Sequence, residues 1–208
     1  MDKSGAFNIV GVTCPLEVER EVDYINSLLY HGLSKIHIRK QGWSAEKIRQ
    51  LISGIDGNYR DRLALHQNHE LAEDLEVKHL HFKEADRKGV CKALIEGLKE
   101  SGFTLSTSAH FECLLPDLDS FDYVFFGPVF DSISKSGYQS TLPDNFRLNS
   151  SLKNVYAIGG VSDTNIETVM DMGFSGAALL GALWTEPAAA LDNYLNIMKQ
   201  CQQHVPLF

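Results

Sequence analysis

The run Val155-Tyr156-Ala157-Ile158-Gly159-Gly160-Val161 is apolar and rich in β-forming residues, and it ends with two adjacent glycines and a valine. An amphipathic segment at 164–172 follows, and a second apolar run at 176–180 leads directly to Gly181. A strand, a helix and a further strand in succession predict two parallel strands joined by a right-handed crossover. The rest of the chain repeats this α/β pattern.

Eight strand candidates alternate with helical segments along the chain. The predicted strands are 7–10, 35–39, 62–66, 78–82, 104–108, 123–129, 155–160 and 176–180. The predicted helices are 19–30, 45–55, 69–75, 90–101, 164–172 and 187–199. Eight such units close most naturally into a compact (β/α)8 TIM barrel, one domain covering 1–208. A doubly wound open sheet is the alternative, but no GxGxxG motif follows the first strand.

Composition excludes several classes of protein. A chain of 208 residues suits one core, and a net charge of −8 without a Lys/Arg run argues against a nucleic-acid partner. No stretch approaches the roughly 20 apolar residues of a membrane helix. The four cysteines lie far apart and form no CxxC pair, which argues against a zinc site or a disulfide scaffold. We therefore expect a cytoplasmic protein without a membrane or nucleic-acid partner.

The chemistry of a barrel lies at the carboxyl ends of its strands. Gly159 and Gly160 end the seventh predicted strand, and Leu180 and Gly181 end the eighth. Glycine lets backbone N–H groups approach a ligand closely, and the loops after the last two strands are the usual phosphate site of this fold. The alternative is a tight turn with positive φ; we favour the phosphate site.

His37 and Arg39 are two residues apart in a strand and therefore face the same side. If Ile36 and Ile38 pack against the helices, these two side chains point into the barrel. A buried arginine requires an anion, which could be a substrate phosphate or an internal carboxylate. Lys40 faces the other way and is expected at the surface.

Other histidines also lie near strand ends. His110 follows Ser108 at the end of the fifth strand, where an imidazole can carry protons near neutral pH or serve structure alone. His79 and His81 share one strand face, but neither has a cysteine or a third histidine at ligand spacing, so metal binding there is weakly indicated. The hydroxyls and ammonium of Ser132, Ser134 and Lys135 suit a diphosphate, although composition alone would describe a surface loop.

Two motifs carry a resemblance to a known family. The segment Phe126-Gly127-Pro128-Val129-Phe130 through Lys135, followed by Ala157-Ile158-Gly159-Gly160-Val161, resembles the thiamine phosphate synthase family, including its thiazole tautomerase branch. The resemblance covers nearly the whole chain and implies a (β/α)8 barrel. The synthase joins hydroxymethylpyrimidine diphosphate to thiazole phosphate with Mg²⁺ and releases diphosphate. The tautomerase aromatises a thiazole phosphate carboxylate by proton transfer and needs no cofactor.

The resemblance also implies roles for individual residues. It assigns diphosphate binding to the loop of Ser132, Ser134 and Lys135. It places Ser108 beside the same group, as a catalytic candidate with His110, and it matches Arg39 to the arginine of the second strand. It assigns magnesium to Asp86, thiazole phosphate to the loops of Gly159, Gly160, Leu180 and Gly181, and proton transfer to His110. His37 joins the same pocket.

The sequence departs from the family pattern at two charged positions. His66-Gln67 stands where the family has Asn-Asp, the second magnesium aspartate, and Gln41 replaces a lysine. Charge that develops on a leaving diphosphate must be neutralised, so losing a carboxylate ligand and an ammonium weakens synthase chemistry. Proton transfer within a thiazole phosphate needs only the phosphate loops and His110.

We therefore expect a tautomerase whose partner is a small phosphorylated thiazole, and a homodimer is a candidate assembly. The close alternative is a divergent Mg²⁺-dependent synthase that also takes a pyrimidine diphosphate. A further alternative is a thiazole-phosphate binder without catalysis.

Overall fold

The structure, a computed structural model, describes residues 7–131, 142–143, 145–149, 151–152 and 154–204. Its eight strands are all parallel and follow one another in chain order around a closed barrel, in which β1 pairs with both β2 and β8. The expected (β/α)8 architecture is confirmed. The strands are β1 (Asn8–Val12), β2 (Lys35–Ile38), β3 (Leu63–Leu65), β4 (His79–Phe82), β5 (Thr104–Ala109), β6 (Tyr123–Phe126), β7 (Val155–Ile158) and β8 (Gly176–Leu179).

Helices of unequal length surround the barrel. The α-helices are α1 (Glu21–Tyr30), α2 (Ala45–Ser53), α3 (Glu84–Arg87), α4 (Lys92–Glu100), α5 (Ile166–Asp171), α6 (Gly181–Trp184) and α7 (Ala190–Gln203). Short 3-10 helices occupy Gly57–Arg62, His69–Leu71, Glu112–Leu118 and Pro187–Ala189. None of the helices in the described ranges is long and apolar enough to cross a bilayer.

Strand alternation divides the core into two layers. The larger cluster lies between strands and helices and includes Ile36 and Ile38 of β2. A smaller cluster fills the barrel interior with Val10, Val12, Tyr123, Phe125 and Ala178. The packing of Ile36 and Ile38 against the helices is confirmed. Since neighbouring residues of a strand point to opposite faces, His37 lies inside the barrel.

The predicted elements differ from the observed ones mainly at their ends. The sixth strand ends at Phe126, before Pro128, which has no backbone N–H to extend the sheet. The seventh ends at Ile158, because Gly159 has φ 98° and leaves the extended conformation. The predicted helix 69–75 is only the 3-10 helix His69–Leu71.

The predicted surface position of Lys40 is wrong. Its side chain is 0% exposed, and Nζ contacts Glu21 Oε2 at 2.6 Å. The backbone leaves the strand geometry after Ile38, so the alternation that predicted an outward side chain no longer applies. A buried ammonium requires such a partner, and Glu21 at the start of α1 supplies it.

Candidate active site

A cavity of about 900 Å³ opens at the carboxyl ends of the strands. It brings together many of the residues singled out from the sequence, although they lie far apart in the chain. These are Arg39, His66, Ser108, His110, Gly159, Gly160, Leu180 and Gly181. The barrel therefore places them around one pocket, at the end of the fold where its ligands bind.

The two glycines after β7 border this cavity and also satisfy a packing requirement. Gly159 and Gly160 have φ 98° and 66°, a region that favours glycine. A Cβ on Gly160 would lie 2.4 Å from the carbonyl oxygen of Asp131. The tight-turn interpretation is thus correct for the backbone, and the glycines line the cavity as well.

The loops after β7 and β8 leave backbone donors available. The Gly160 carbonyl accepts a hydrogen bond from Asn165 Nδ2 at 2.9 Å, which fixes the turn. The N–H groups of Gly160 and Gly181 donate to no acceptor among the described residues. Unpaired N–H groups beside a cavity are suited to an oxyanion.

His110 forms a pair with Glu84, the first residue of α3. Its Nδ1 lies 2.5 Å from Glu84 Oε2, and its backbone N–H donates to the same oxygen at 3.2 Å. Burial pushes the pKa of Glu84 upward, but the contact with His110 and the charge of Arg87 outweigh it and hold that pKa below its usual value. The ionised carboxylate therefore accepts from Nδ1–H, which leaves Nε2 of His110 as a proton acceptor.

Glu84 was not singled out from the sequence. The available signal was its position two residues after the end of β4, where barrel residues face the site. Nothing in the local pattern, however, indicated that it pairs with a histidine after the next strand.

Positive charge faces the cavity from Arg39 and Lys83. The Arg39 guanidinium makes no ion pair or side-chain hydrogen bond with any residue in the described ranges. The alternative of a structural salt bridge is therefore not supported there. Lys83 has only a 3.8 Å contact with Asp86, and both side chains are half-exposed. The arrangement favours an anionic ligand.

Several predicted residues do not reach the cavity. Gln41 is exposed, and Gln67 Nε2 lies 3.4 Å from the Trp43 carbonyl oxygen. Asp86 is exposed beside Lys83 and is not among the residues that line the cavity. Ser132, Ser134 and Lys135 lie outside the described residues.

The described residues do not form the carboxylate site that Mg²⁺ prefers. Glu84 is the one carboxylate that lines the cavity in the part of the chain that the structure describes, and His110 already engages it. Gln67 carries an amide, and Asp86 does not line the cavity, so neither position adds a second carboxylate there.

Beneath the cavity lies a layer of buried imidazoles that the sequence did not predict as a group. His37 Nδ1 is 2.9 Å from His66 Nε2, and the His66 and His81 rings stack with centroids 3.9 Å apart. Tyr123 OH is 2.9 Å from His37 Nε2. The layer connects the barrel interior to the cavity because His66 and His81 also line the latter.

Residues 9–183 match the family model described as thiamine monophosphate synthase. The chain belongs to the thiamine monophosphate synthase family. It is 27% identical over 132 residues to a thiamine-phosphate synthase of Staphylococcus haemolyticus, an alignment that covers 61% of this chain and 60% of that protein. It is 25% identical over 178 residues to a thiamine-phosphate synthase of Limosilactobacillus reuteri, which covers 81% of this chain and 82% of the relative.

The fold of this family member also matches solved structures. Thiamine phosphate pyrophosphorylase from Pyrococcus furiosus superposes with a TM-score of 0.77 at 17% identity, covering 96% of this chain and 98% of that one. At this identity the likeness concerns the fold alone. Membership of the thiamine monophosphate synthase family supports an enzymatic role in thiamine biosynthesis with small-molecule partners.

Proposed function

We propose that this family member is a thiazole tautomerase that binds a thiazole phosphate and moves a ring proton with His110 as general acid and base. The observation that carries the proposal is the His110–Glu84 contact of 2.5 Å at the edge of the cavity. A carboxylate that fixes the Nδ1–H tautomer leaves Nε2 free to take a proton and return it. The proposal requires no cofactor.

The remainder of the cavity suits the phosphate of such a ligand. The N–H groups of Gly160 and Gly181, which donate to no acceptor in the described ranges, support a phosphate role for these loops. The Arg39 guanidinium, which has no protein anion there, supports it as well. A phosphate held at the loops after β7 and β8 leaves the thiazole ring in the cavity that His110 borders. Fixing the ring against the base supplies the orientation that proton transfer needs.

The same geometry disfavours synthase chemistry. Departure of a diphosphate needs positive charge from basic side chains and from a metal ion, which carboxylate ligands must hold. Gln67 is an amide that lies against a backbone carbonyl, and Asp86 is outside the lining, so neither position presents to the cavity a carboxylate that would hold this metal. At about 1.36 kcal/mol per tenfold in rate, several kcal/mol of lost stabilisation would slow the reaction by orders of magnitude.

Two parallel assays test the proposal. In the first, the purified protein receives the non-aromatic thiazole phosphate carboxylate, and aromatisation is followed by absorbance and NMR. In the second, it receives hydroxymethylpyrimidine diphosphate, thiazole phosphate and Mg²⁺. We expect turnover in the first assay alone. Rapid thiamine phosphate formation in the second would refute the tautomerase assignment.

The synthase remains the second candidate because the curated relatives quoted above carry that name. Its distinguishing result is Mg²⁺-dependent release of diphosphate. A thiazole-phosphate binder without catalysis is the third candidate, and it would show binding by calorimetry with no turnover in either assay.

A further inference from the structure

Three buried histidines on adjacent strands meet at the floor of the cavity. His37 lies on β2, His66 directly follows β3, and His81 lies on β4. They are 0%, 5% and 1% exposed. One ring nitrogen of each lies within 4.8 Å of a ring nitrogen of both others. No other group of three or more candidate ligands is this compact in the described ranges.

We propose that His37, His66 and His81 form a binding site for a divalent transition metal ion, with Zn²⁺ as the first candidate. Three imidazoles suit Zn²⁺, Co²⁺ and related ions, whereas Mg²⁺ prefers oxygen ligands. The site is therefore chemically different from a magnesium–carboxylate site. It also goes beyond the proposed tautomerase function, which requires no metal.

Hydroxyl groups around the cluster fit the second layer of a metal site. Tyr123 OH lies 2.9 Å from His37 Nε2, and the hydroxyls of Ser106 and Ser108 lie 2.9 Å from Nδ1 and Nε2 of His81. Histidine ligands usually donate their second ring N–H to such a partner, which fixes the ring and its tautomer. His37 can keep its proton toward Tyr123, and His81 can keep its proton toward one of the two serines.

His66 supplies the observation that points to a ligand. Its Nδ1 is buried and has no hydrogen-bond partner among the described residues. A buried polar atom without a partner is unfavourable in a folded protein, and a bound ion is one way to satisfy it. His66 also lines the cavity, so its ring connects the cluster to the ligand pocket.

Metal binding requires a small rearrangement. The His37–His66 hydrogen bond of 2.9 Å must open so that His37 Nδ1 can bind the ion, and the rings of His66 and His81 must turn until the unpartnered His66 Nδ1 and one nitrogen of His81 face the same point. With Zn–N bonds of about 2.0–2.1 Å, the ligating nitrogens would lie roughly 3.3 Å apart. The largest separation of 4.8 Å must therefore shrink, which side-chain rotation can achieve.

Three protein ligands leave a fourth position, which would face the cavity through His66 and His81. The neighbouring charges of Arg39 and Lys83 lie on the same cavity and oppose a bare cation. An anionic ligand in the pocket would offset this repulsion. We therefore infer that the site holds its metal together with an anion or hydroxide.

The test titrates tag-free protein with Co²⁺ and follows its visible absorption, then displaces it with Zn²⁺ and measures bound metal after dialysis. We expect one equivalent, with the intense bands of a tetrahedral site. His66→Gln and His81→Gln should abolish this binding. Tyr123→Phe should weaken it about tenfold, the usual effect of removing a partner of a ligand.

His31→Ala and His79→Gln serve as matched controls, since His31 is exposed and His79 lies on the same strand as His81 but outside the cluster. Both should bind metal as the parent protein does. Histidine-ring NMR of the parent protein needs no variant to fold: one equivalent of Zn²⁺ should shift the signals of the three cluster rings. Absence of stoichiometric binding, or binding that leaves those signals unchanged, would overturn the proposal.

Discussion

Replacing Lys40 by methionine tests the buried ion pair that sequence reasoning missed. Lys40 Nζ has acceptors for all three protons: Glu21 Oε1 at 2.7 Å, Glu21 Oε2 at 2.6 Å and the Leu16 carbonyl at 2.8 Å. Lys40→Met leaves the Glu21 carboxylate, whose side chain is 4% exposed, without its counterion. Breaking such a pair from one side costs about 3–5 kcal/mol, and complete burial favours the upper part of this range.

The pair also holds the cavity rim, because Leu16 lines the cavity and its carbonyl is bound to Lys40. Urea unfolding followed by tryptophan fluorescence measures the loss of stability, and Trp43 lies close to the change, with Lys40 Nζ 4.7 Å from its ring centroid. Lys47→Met is the matched control, since the Lys47–Glu17 pair has side chains 46% and 72% exposed. An exposed pair of this kind contributes about 1 kcal/mol or less.

Changing both partners should restore most of the stability. In Lys40→Met/Glu21→Leu no charge is left buried, and we expect unfolding within about 1–2 kcal/mol of the parent protein. A double variant as unstable as Lys40→Met would show that packing, and not the unpaired carboxylate, causes the loss.

The loss should also depend on pH in a defined direction. Burial raises the pKa of Glu21 more than the hydrogen bond and charge of Lys40 lower it, and removing Lys40 raises it further. A carboxyl group whose pKa is higher in the folded than in the unfolded protein favours folding as pH falls toward the unfolded value. Lys40→Met should therefore lose less stability at pH 5 than at pH 8. A loss equal to that of Lys47→Met, or one independent of pH, would refute this account.

Three further predictions concern the site and the barrel interior. His110→Ala should lower the tautomerase rate by about 10²–10⁴-fold with little change in thiazole-phosphate affinity, measured by single-turnover kinetics and calorimetry; an unchanged rate would exclude its role. Gly160→Ala should weaken phosphate-ligand binding, because the added Cβ would lie 2.4 Å from the Asp131 carbonyl oxygen. Gly102→Ala is the control: Gly102 also has a positive φ, 85°, but no atom lies within 4 Å of an added Cβ, so this variant should bind the ligand normally. Lys35→Met should stabilise the protein at pH 7 by up to about 3 kcal/mol, because burial lowers the pKa of Lys35 to about 8. This gain should vanish as pH rises from 8 to 10.5, and an equal gain at pH 7 and pH 10.5 in urea unfolding would contradict it.

The sequence determined the architecture because its signals are local. Alternating strands and helices predicted the barrel. The alternation of side chains along β2 predicted that His37 points inward while Ile36 and Ile38 face the helices. The glycines at the ends of β7 and β8 were correctly placed at the cavity, since the carboxyl ends of parallel strands must share one end of a barrel. Strand position also indicated His110 and Arg39, to which the family resemblance added roles, and both reach the cavity.

Only the tertiary structure decided which side chains meet. Lys40 and Glu21 pair where the strand geometry has ended, and Glu84 and His110 come from loops after different strands. His37, His66 and His81 converge because β2, β3 and β4 are neighbours in a register that a one-residue shift would destroy. Periodicity along the chain fixes the face that a side chain occupies, whereas barrel closure and strand register fix its neighbours; the chemistry of this protein depends on the neighbours.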